Sequence, residues 1–294
     1  MSEADLIARI RELFPRTGDD AAVIGDQVIT NDMLIEDVDF TRDVPLRLIA
    51  RKSLAVNLSD LAAMGARPQY ALVAIGAPEW VNVRELIEEL ANAAKSYRVE
   101  IIGGDLSRAE KLTISITAIG EAKQPILRSG ARAGDRLYVS RPLGGSAAGL
   151  ALLHADLESM SYAEREFAQS AIRRHLDPEP EVDLGMKLVG IATSCIDISD
   201  GLSSDVQHLC EHVGADIERA RIPVFPGLTG NVRDLVLNGG EEFALLFTSP
   251  MRESEISAKV GRPVYAIGRI TKELGVRLDG EPLKPGGFDH FAAR

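Results

Sequence analysis

The sequence predicts an α/β protein in two domains. Three observations carry that expectation. Apolar strands alternate with amphipathic helices through the first half, 294 residues are enough for two ordinary domains, and a polar, glycine-containing stretch at 123–134 separates two series of elements. Aromatic residues make up only 5% of the chain, so the core has to be built from Ala, Val, Ile and Leu.

At the N-terminus, Leu6, Ile7, Ile10, Leu13 and Phe14 fall at helical spacing with charges between them. That predicts a packed amphipathic helix over 2–14 and not a signal peptide. Residues 21–24 and 27–30 read as strands around the turn Gly25-Asp26. Residues 49–64 form a helix rich in small residues, stopped by Gly65 with Pro68 beyond. A strand at 70–75 leads to a helix at 79–97, whose Leu86, Leu90, Ala93, Ala94 and Tyr97 share a face. Strands at 99–102 and 112–121 close the first series. The second series restarts with a strand at 136–140 and continues with helices at 146–154, 162–175, 182–191 and 203–213, the last capped by Gly214. Late strands follow at 243–248 and 264–270. There is no tandem repeat and no low-complexity segment.

Charge and cysteine usage narrow the function. A formal net charge of −11 argues against a general nucleic-acid or anionic-membrane binder, both of which need a positive field. It leaves ATP open, because bound metal ions reverse a local field. Cys195 and Cys210 form no CxxC pair and no disulfide framework, which fits a reducing cytoplasm. No run of about 18 apolar residues occurs, so no transmembrane helix is expected.

Five acidic motifs carry the chemistry: Gly18-Asp19-Asp20, Asn31-Asp32, Asn57-Leu58-Ser59-Asp60, Gly103-Gly104-Asp105 and Asp197-Ile198-Ser199-Asp200-Gly201. Asp beside Gly, Ser or Asn offers hard carboxylate oxygens of the kind Mg²⁺ takes, one or two per ion, with phosphate oxygens and water completing the shell. Asp32 is read as lying just past the strand at 28–30. Asn57 and Asp60 share a helix face and interrupt an apolar stretch, where a carboxylate is costly unless paired or metal-bound. The glycines before Asp105 permit close approach of backbone to a ligand. Arg128 and Arg132, around Ser129-Gly130, suit phosphate, and Gly144-Gly145-Ser146 opens a helix that can hold an anion. Asp205, His208 and His212 have a spacing that permits zinc, though an ordinary helix surface explains them better. No Walker A sequence, kinase signature or nucleophile elbow is present.

Taken together, these motifs resemble the thiamine-monophosphate kinase family, of the aminoimidazole ribonucleotide synthetase and selenophosphate synthetase superfamily. The resemblance runs nearly end to end. It rests on Gly18 to Ala22, Thr30-Asn31-Asp32-Met33-Leu34, KSLAVNLSDLAAMGA at 52–66, Ile102 to Asp105, Arg128-Ser129-Gly130-Ala131, DISDGL at 197–202, Gly240-Glu241 and the tail Gly287-Phe288-Asp289-His290-Phe291. It implies a two-domain α/β (α+β) fold of the aminoimidazole ribonucleotide synthetase type. Residues 1–125 would form an ATP- and Mg²⁺-binding domain that dimerises through its sheet, and 126–294 a C-terminal α/β domain.

The implied reaction is direct transfer of the ATP γ-phosphoryl group to thiamine monophosphate, giving thiamine diphosphate. By the resemblance, Asp20, Thr30, Asn31, Asp32, Asp60, Asp105, Asp197 and Asp200 hold several Mg²⁺ ions, with Asp200, Asp60 and Asp32 as the catalytic set. Gly104, Arg128, Ser199 and Tyr97 contact ATP, and Asp39, Glu241 and Phe288 meet the thiamine side, where an aromatic face and a carboxylate suit the thiazolium cation. Departures from the family pattern gather on the acceptor side. They are Asp37-Val38-Asp39-Phe40 in place of Gly-x-His-Phe, Gly240-Glu241-Glu242-Phe243-Ala244 in place of Gly-Glu-Asp-Tyr-Glu, and Glu181 where an Arg often follows Pro178-Glu179-Pro180. Nearer the metals, Asn31 replaces Thr and Leu106-Ser107 replaces Thr-Thr. The alternatives are a sibling kinase or ligase with another small acceptor and a nucleotide-binding regulatory protein. The first Cys at 195 and the tail without a terminal Cys disfavour selenophosphate synthetase and the hydrogenase-maturation protein.

Overall fold

The computed structural model describes residues 3–14, 16–288 and 291. Ser2, at the start of the expected first helix, and Asp289 and His290 of the tail lie outside the described residues. Two sheets organise the chain. The first is built from β1 (Ala22–Ile24), β2 (Gln27–Ile35), β3 (Arg67–Ala77), β4 (Glu100–Arg108) and β5 (Thr113–Glu121), in the order β1-β2-β5-β3-β4. Between its strands run α2 (Leu46–Ala63) and α3 (Val83–Tyr97), and α1 (Glu3–Leu13) precedes it.

The second sheet holds β6 (Arg136–Val139), β7 (Ser194–Asp197), β8 (Gly214–Ile217), β9 (Leu245–Ser249), β10 (Tyr265–Thr271), β11 (Gly275–Leu278) and β12 (Glu281–Pro282). Its order is β12-β11-β8-β10-β6-β9-β7. The helices of this half are α4 (Gly145–Leu152), α5 (Tyr162–Leu176), α6 (Val182–Leu188), α7 (Leu202–Leu209), α8 (Val232–Asn238) and α9 (Glu253–Val260). Each sheet has its own core. Leu58, Leu61, Ile114 and Ile116 sit under the first, and Leu137, Ile196, Leu246 and Ile267 under the second.

Helix α2 joins the two halves. Its Ala62 and Ala63 pack with Tyr138, Leu184, Leu188 and Phe247 in a third cluster. The fit there is tight: a Cβ added to Gly185 of α6 would stand 2.0 Å from the Ala62 carbonyl oxygen. A helix wedged between two cores has few positions left for water, and Lys52, Ser53, Asn57 and Ser59 of α2 are all buried.

Several sequence expectations need correction. β2 runs on to Ile35, so Asp32 lies within a strand and not beyond its end. β2, β5 and β3 form a continuous ladder here, and the alternation of Val28, Thr30 and Leu34 keeps the strand half-buried to its end. β4 likewise extends through Gly103, Gly104 and Asp105 to Arg108, paired in parallel with β3. The close approach made by Gly104 is therefore to a neighbouring strand, since a Cβ there would meet the Val73 carbonyl oxygen at 1.8 Å. Helix α3 starts at Val83 and not at residue 79, because the Asn82 side chain accepts the Glu85 N–H and sets the first turn. Helix α7 ends at Leu209, and Gly214 opens β8 instead of capping a helix. A Cβ on Gly214 would lie 1.8 Å from the Glu273 carbonyl oxygen, so the glycine serves strand packing. The short strands β8 and β11 carry too few residues for a periodic signal.

The wedge of α2 against α6 can be tested directly. Gly185→Ala is expected to lower unfolding free energy by about 1–3 kcal/mol through overpacking, read as a shift in the denaturant midpoint. An unchanged midpoint would show that the two halves are not held by this contact.

Candidate active site

Three carboxylates from distant parts of the chain meet between the sheets. Asp20 precedes β1, Asp60 lies in the last turns of α2, and Asp197 ends β7; one oxygen of each lies within 4.8 Å of the other two. Asp20 and Asp197 are buried and Asp60 is part-buried. Each is held by a named neighbour. The Arg128 guanidinium lies 2.8 Å from Asp20 Oδ1, Thr30 Oγ1 donates to Asp60, and Ser59 Oγ donates to Asp197. Arg128 is itself fixed by its backbone N–H, which donates to Asp19 Oδ1 at 3.0 Å. Asp32 enters from β2, with its N–H donating to Asn57 Oδ1 at 2.9 Å.

The electrostatics of this group are unfavourable by themselves. Burial, and then the charges of Asp39, Asp20 and Asp200, push the Asp32 carboxyl up to about 6. Burial and Asp20 push Asp197 up to about 8, against the Ser59 hydrogen bond and the Arg128 charge. Asp60 is raised by burial first and then by Asp32, Asp197 and Asp20. Asp20 Oδ2 is buried without a hydrogen-bond partner. Clustered, desolvated carboxylates with an orphaned oxygen are the donor set a hard divalent cation fits, since its charge lowers each pKa and its shell takes the spare lone pairs. The residues present therefore fit Mg²⁺.

The loop after β7 is held in place by a residue read from sequence as helix surface. Asp205, buried on α7, accepts the N–H groups of Gly201 at 3.0 Å and Asp200 at 3.3 Å. With α7 ended at Leu209, His212 is not on the helix, which removes the zinc spacing for Asp205, His208 and His212. Ser199 contributes its carbonyl oxygen to the Glu241 N–H at 2.7 Å. The tail folds onto the same loop, with the Phe288 N–H donating to the Asp200 carbonyl at 3.1 Å. The start of α4 does hold an anion, but the chain's own: Glu242 Oε1 accepts the N–H groups of Gly144 and Ser146, each at 2.9 Å.

A second polar centre lies beside the carboxylates. Lys52 Nζ is 2.6 Å from Glu241 Oε1 and 3.3 Å from the Asp39 carbonyl. Asp39 Oδ2 accepts the Ile35 N–H at 2.7 Å and closes the turn after β2. Sequence reading missed Lys52, whose only signal was a cation in an otherwise small and apolar helical stretch.

Four sequence-selected residues stand apart from the acidic centre within one chain. Asn31 points to the open face of the first sheet, opposite Thr30, and its amide donates to Thr117 Oγ1 at 2.9 Å and Ser115 Oγ at 3.2 Å. The two-residue period of a strand enforces this: neighbours in β2 cannot face the same way. Asp105 pairs with Ala74 on that open face and accepts from Ser107 Oγ at 3.1 Å. With β5 and β3 between them, Asn31 and Asp105 are separated by three strand spacings, roughly 14 Å, too far to share one ion. Gly104 lies on the same edge strand. Tyr97 ends α3, where the Arg51 guanidinium sits 4.7 Å from its ring centroid.

The sequence profile described as AIR synthase related protein, N-terminal domain, matches residues 18–122. The thiamine-monophosphate kinase of Haemophilus influenzae is 35% identical, with 93% of this chain and 90% of that protein covered. That of Aquifex aeolicus is 33% identical, with 93% and 92% covered. A solved structure of AaThiL complexed with AMPPCP and TMP superimposes with a TM-score of 0.90 at 31% identity, covering 99% of this chain and 97% of that one. The chain belongs to the thiamine-monophosphate kinase family.

The raised carboxyl groups set a pH dependence. A carboxyl whose folded pKa exceeds its unfolded value of about 4 loses stabilisation as pH rises through the folded value. With Asp32 near 6 and Asp197 near 8, the cation-free protein is expected to lose stability between about pH 4 and 8. Asp60→Asn keeps an acceptor for Thr30 and removes a charge, so it should raise the melting temperature in EDTA and flatten that slope. A melting temperature that rises across the window, or an Asp60→Asn protein less stable than wild type, would contradict this.

Proposed function

We propose that this chain, as its family membership implies, transfers the γ-phosphoryl group of ATP to thiamine monophosphate. An oxygen of the acceptor phosphate attacks the γ-phosphorus, the bond to the β-phosphate oxygen breaks, and thiamine diphosphate and ADP leave. The acceptor oxygen is already ionised near neutral pH, so no strong general base is required. The obstacle is repulsion between two polyanions, and catalysis is chiefly positioning and charge neutralisation. The observation that carries the reading is the buried meeting of Asp20, Asp60 and Asp197, an arrangement that is unfavourable by itself and suits cations shared with phosphates.

In this reading Asp20, Asp32, Asp60, Asp197 and Asp200 hold Mg²⁺, which supplies neutralisation of the phosphate charge. Thr30 orients Asp60, and Ser59 orients Asp197. Arg128 and Ser199 lie where the nucleotide phosphates would approach. Asp39 and Glu241 form the acceptor side, with Phe288, about half exposed beside Asp200, as the aromatic face for the thiamine rings. Asn31, Gly104, Asp105 and Tyr97 are proposed to reach nucleotide or metal only in an assembly. The open sheet face exposes Met33, Tyr70 and Leu72, and the edge strand exposes Ile101, in keeping with a homodimer formed through this sheet. Among the described residues no helix is long and apolar enough to cross a membrane. A cytoplasmic site of action is part of the same proposal.

The test is ADP release from ATP and Mg²⁺ with and without thiamine monophosphate, with products identified by mass spectrometry. One thiamine diphosphate per ADP is expected, and Asp60→Ala or Asp197→Ala should lower kcat by about 10³-fold or more while the protein stays folded. ATP use without that product would move the search to another acceptor, and near-normal turnover in either variant would remove the metal assignment. For the assembly, light scattering should give a dimer mass that Leu72→Asp converts to monomer. A wild-type monomer at micromolar concentration would contradict the sheet interface.

A further inference from the structure

Glu241 is held more firmly than a surface carboxylate needs to be. Its backbone is left-handed, with φ +57°, a conformation unfavourable for a non-glycine residue. Its N–H is tied to Ser199, and the next residue, Glu242, is locked onto the start of α4. The side chain is clamped as well. Oε1 lies 2.6 Å from Lys52 Nζ and Oε2 lies 3.2 Å from His175 Nδ1. His175 is buried, and burial, with the Lys52 charge adding, pushes its pKa down to about 3, so the ring is neutral. Nδ1 offers one hydrogen-bonding position, and Ser146 Oγ occupies it at 3.1 Å, leaving Glu241 Oε2 in contact with the ring.

Lys52 is therefore the cation that balances Glu241 at this point, and it is 2% exposed. Stability alone does not account for it. An ion pair taken out of water returns about what its desolvation costs, and a hydrophobic side chain of similar length often does as well. The Glu241 side chain, in contrast, keeps 28% of its surface open.

We propose that Lys52 is a positioning residue for the acceptor. Its buried ammonium at Oε1, with the His175 ring beside Oε2, sets the direction of the Glu241 carboxylate, so that its anionic edge faces the cationic ring of the acceptor. Lys52 does not itself touch that ring. The inference rests on the acceptor reading above, in which Glu241 meets the thiazolium.

Steady-state kinetics of Lys52→Met, Glu241→Gln and the double variant separate this role from packing. Lys52→Met is expected to raise KM for thiamine monophosphate by about tenfold and to leave KM for ATP within about twofold. In the Glu241→Gln background it should add less than about twofold, because residues acting through one another are not additive. His175→Gln should show the same dependence on Glu241 and serves if Lys52→Met does not accumulate folded. Additive effects, or equal loss for both substrates, would overturn the positioning role while wild-type thiamine diphosphate formation stands. A wild type that forms none would overturn the acceptor reading instead.

Discussion

Everything in this molecule depends on α2 being buried while carrying polar side chains. A helix placed between two hydrophobic cores cannot leave such groups to water, and each must find a partner across an interface. Those partners come from both halves of the chain. Arg51 pairs with Asp177 and Glu179, Lys52 with Glu241, Asn57 with the Asp32 backbone, Ser59 with Asp197 and Asp60 with Thr30. One helix thus aligns the strand ends that carry the carboxylates, and the same contacts hold the two sheets in register with each other. The cost appears as carboxyl groups raised well above their ordinary range, which is the arrangement expected of a site completed by what it binds.

The proposed phosphate side and acceptor side are mechanically one unit. Residues 198–200 run beside 241–243, with Ile198 accepting from Phe243 and Ser199 from Glu241. Glu241 and Phe243 both adopt left-handed backbone, at φ +57° and +47°, and Glu242 between them turns inward onto α4. Strain of this kind persists only where the surroundings over-determine it. Here it leaves the Glu241 side chain part-exposed and turns Glu242 into the protein, and it couples the position of Glu241 to that of Asp200. The chain's tail, laid over the Asp200 carbonyl through the Phe288 N–H, closes the same unit.

The parts of the site that were readable in the sequence are those where a charge interrupts an apolar run. Asp60 within 54–63 and Asp197 at the end of an apolar strand stand out because burial makes an unpaired carboxylate expensive, and Asp20 was readable only in company with them. The parts that were not readable depend on facing and on length. Asn31 and Asp32 are adjacent in sequence, but a strand sends them to opposite faces, and the extension of β2 past residue 30 could be settled only by its pairing with β5. Gly104 invited close approach, and on its Cβ side that approach is made by the Val73 backbone, which no sequence signal announces. Lys52 and Asp205 looked like ordinary helix positions because their partners, Glu241 and the N–H groups of Asp200 and Gly201, lie 189 positions downstream and four to five upstream, neither at a spacing that flags a pair. The α/β class and the positions of most helices were legible from periodicity. The strands β8, β11 and β12 were not, since they are short and gain their order from one another.

The central claim is that the carboxylates from both halves of the chain form one cation site beside the transferring phosphates. Crystals grown with Mn²⁺ and a non-hydrolysable ATP analogue test it most directly, through anomalous scattering at the manganese edge. The account predicts manganese peaks within ligand distance of Asp20, Asp60 and Asp197, bridged to nucleotide phosphate oxygens. An ordered nucleotide with no peak among those three residues would contradict it.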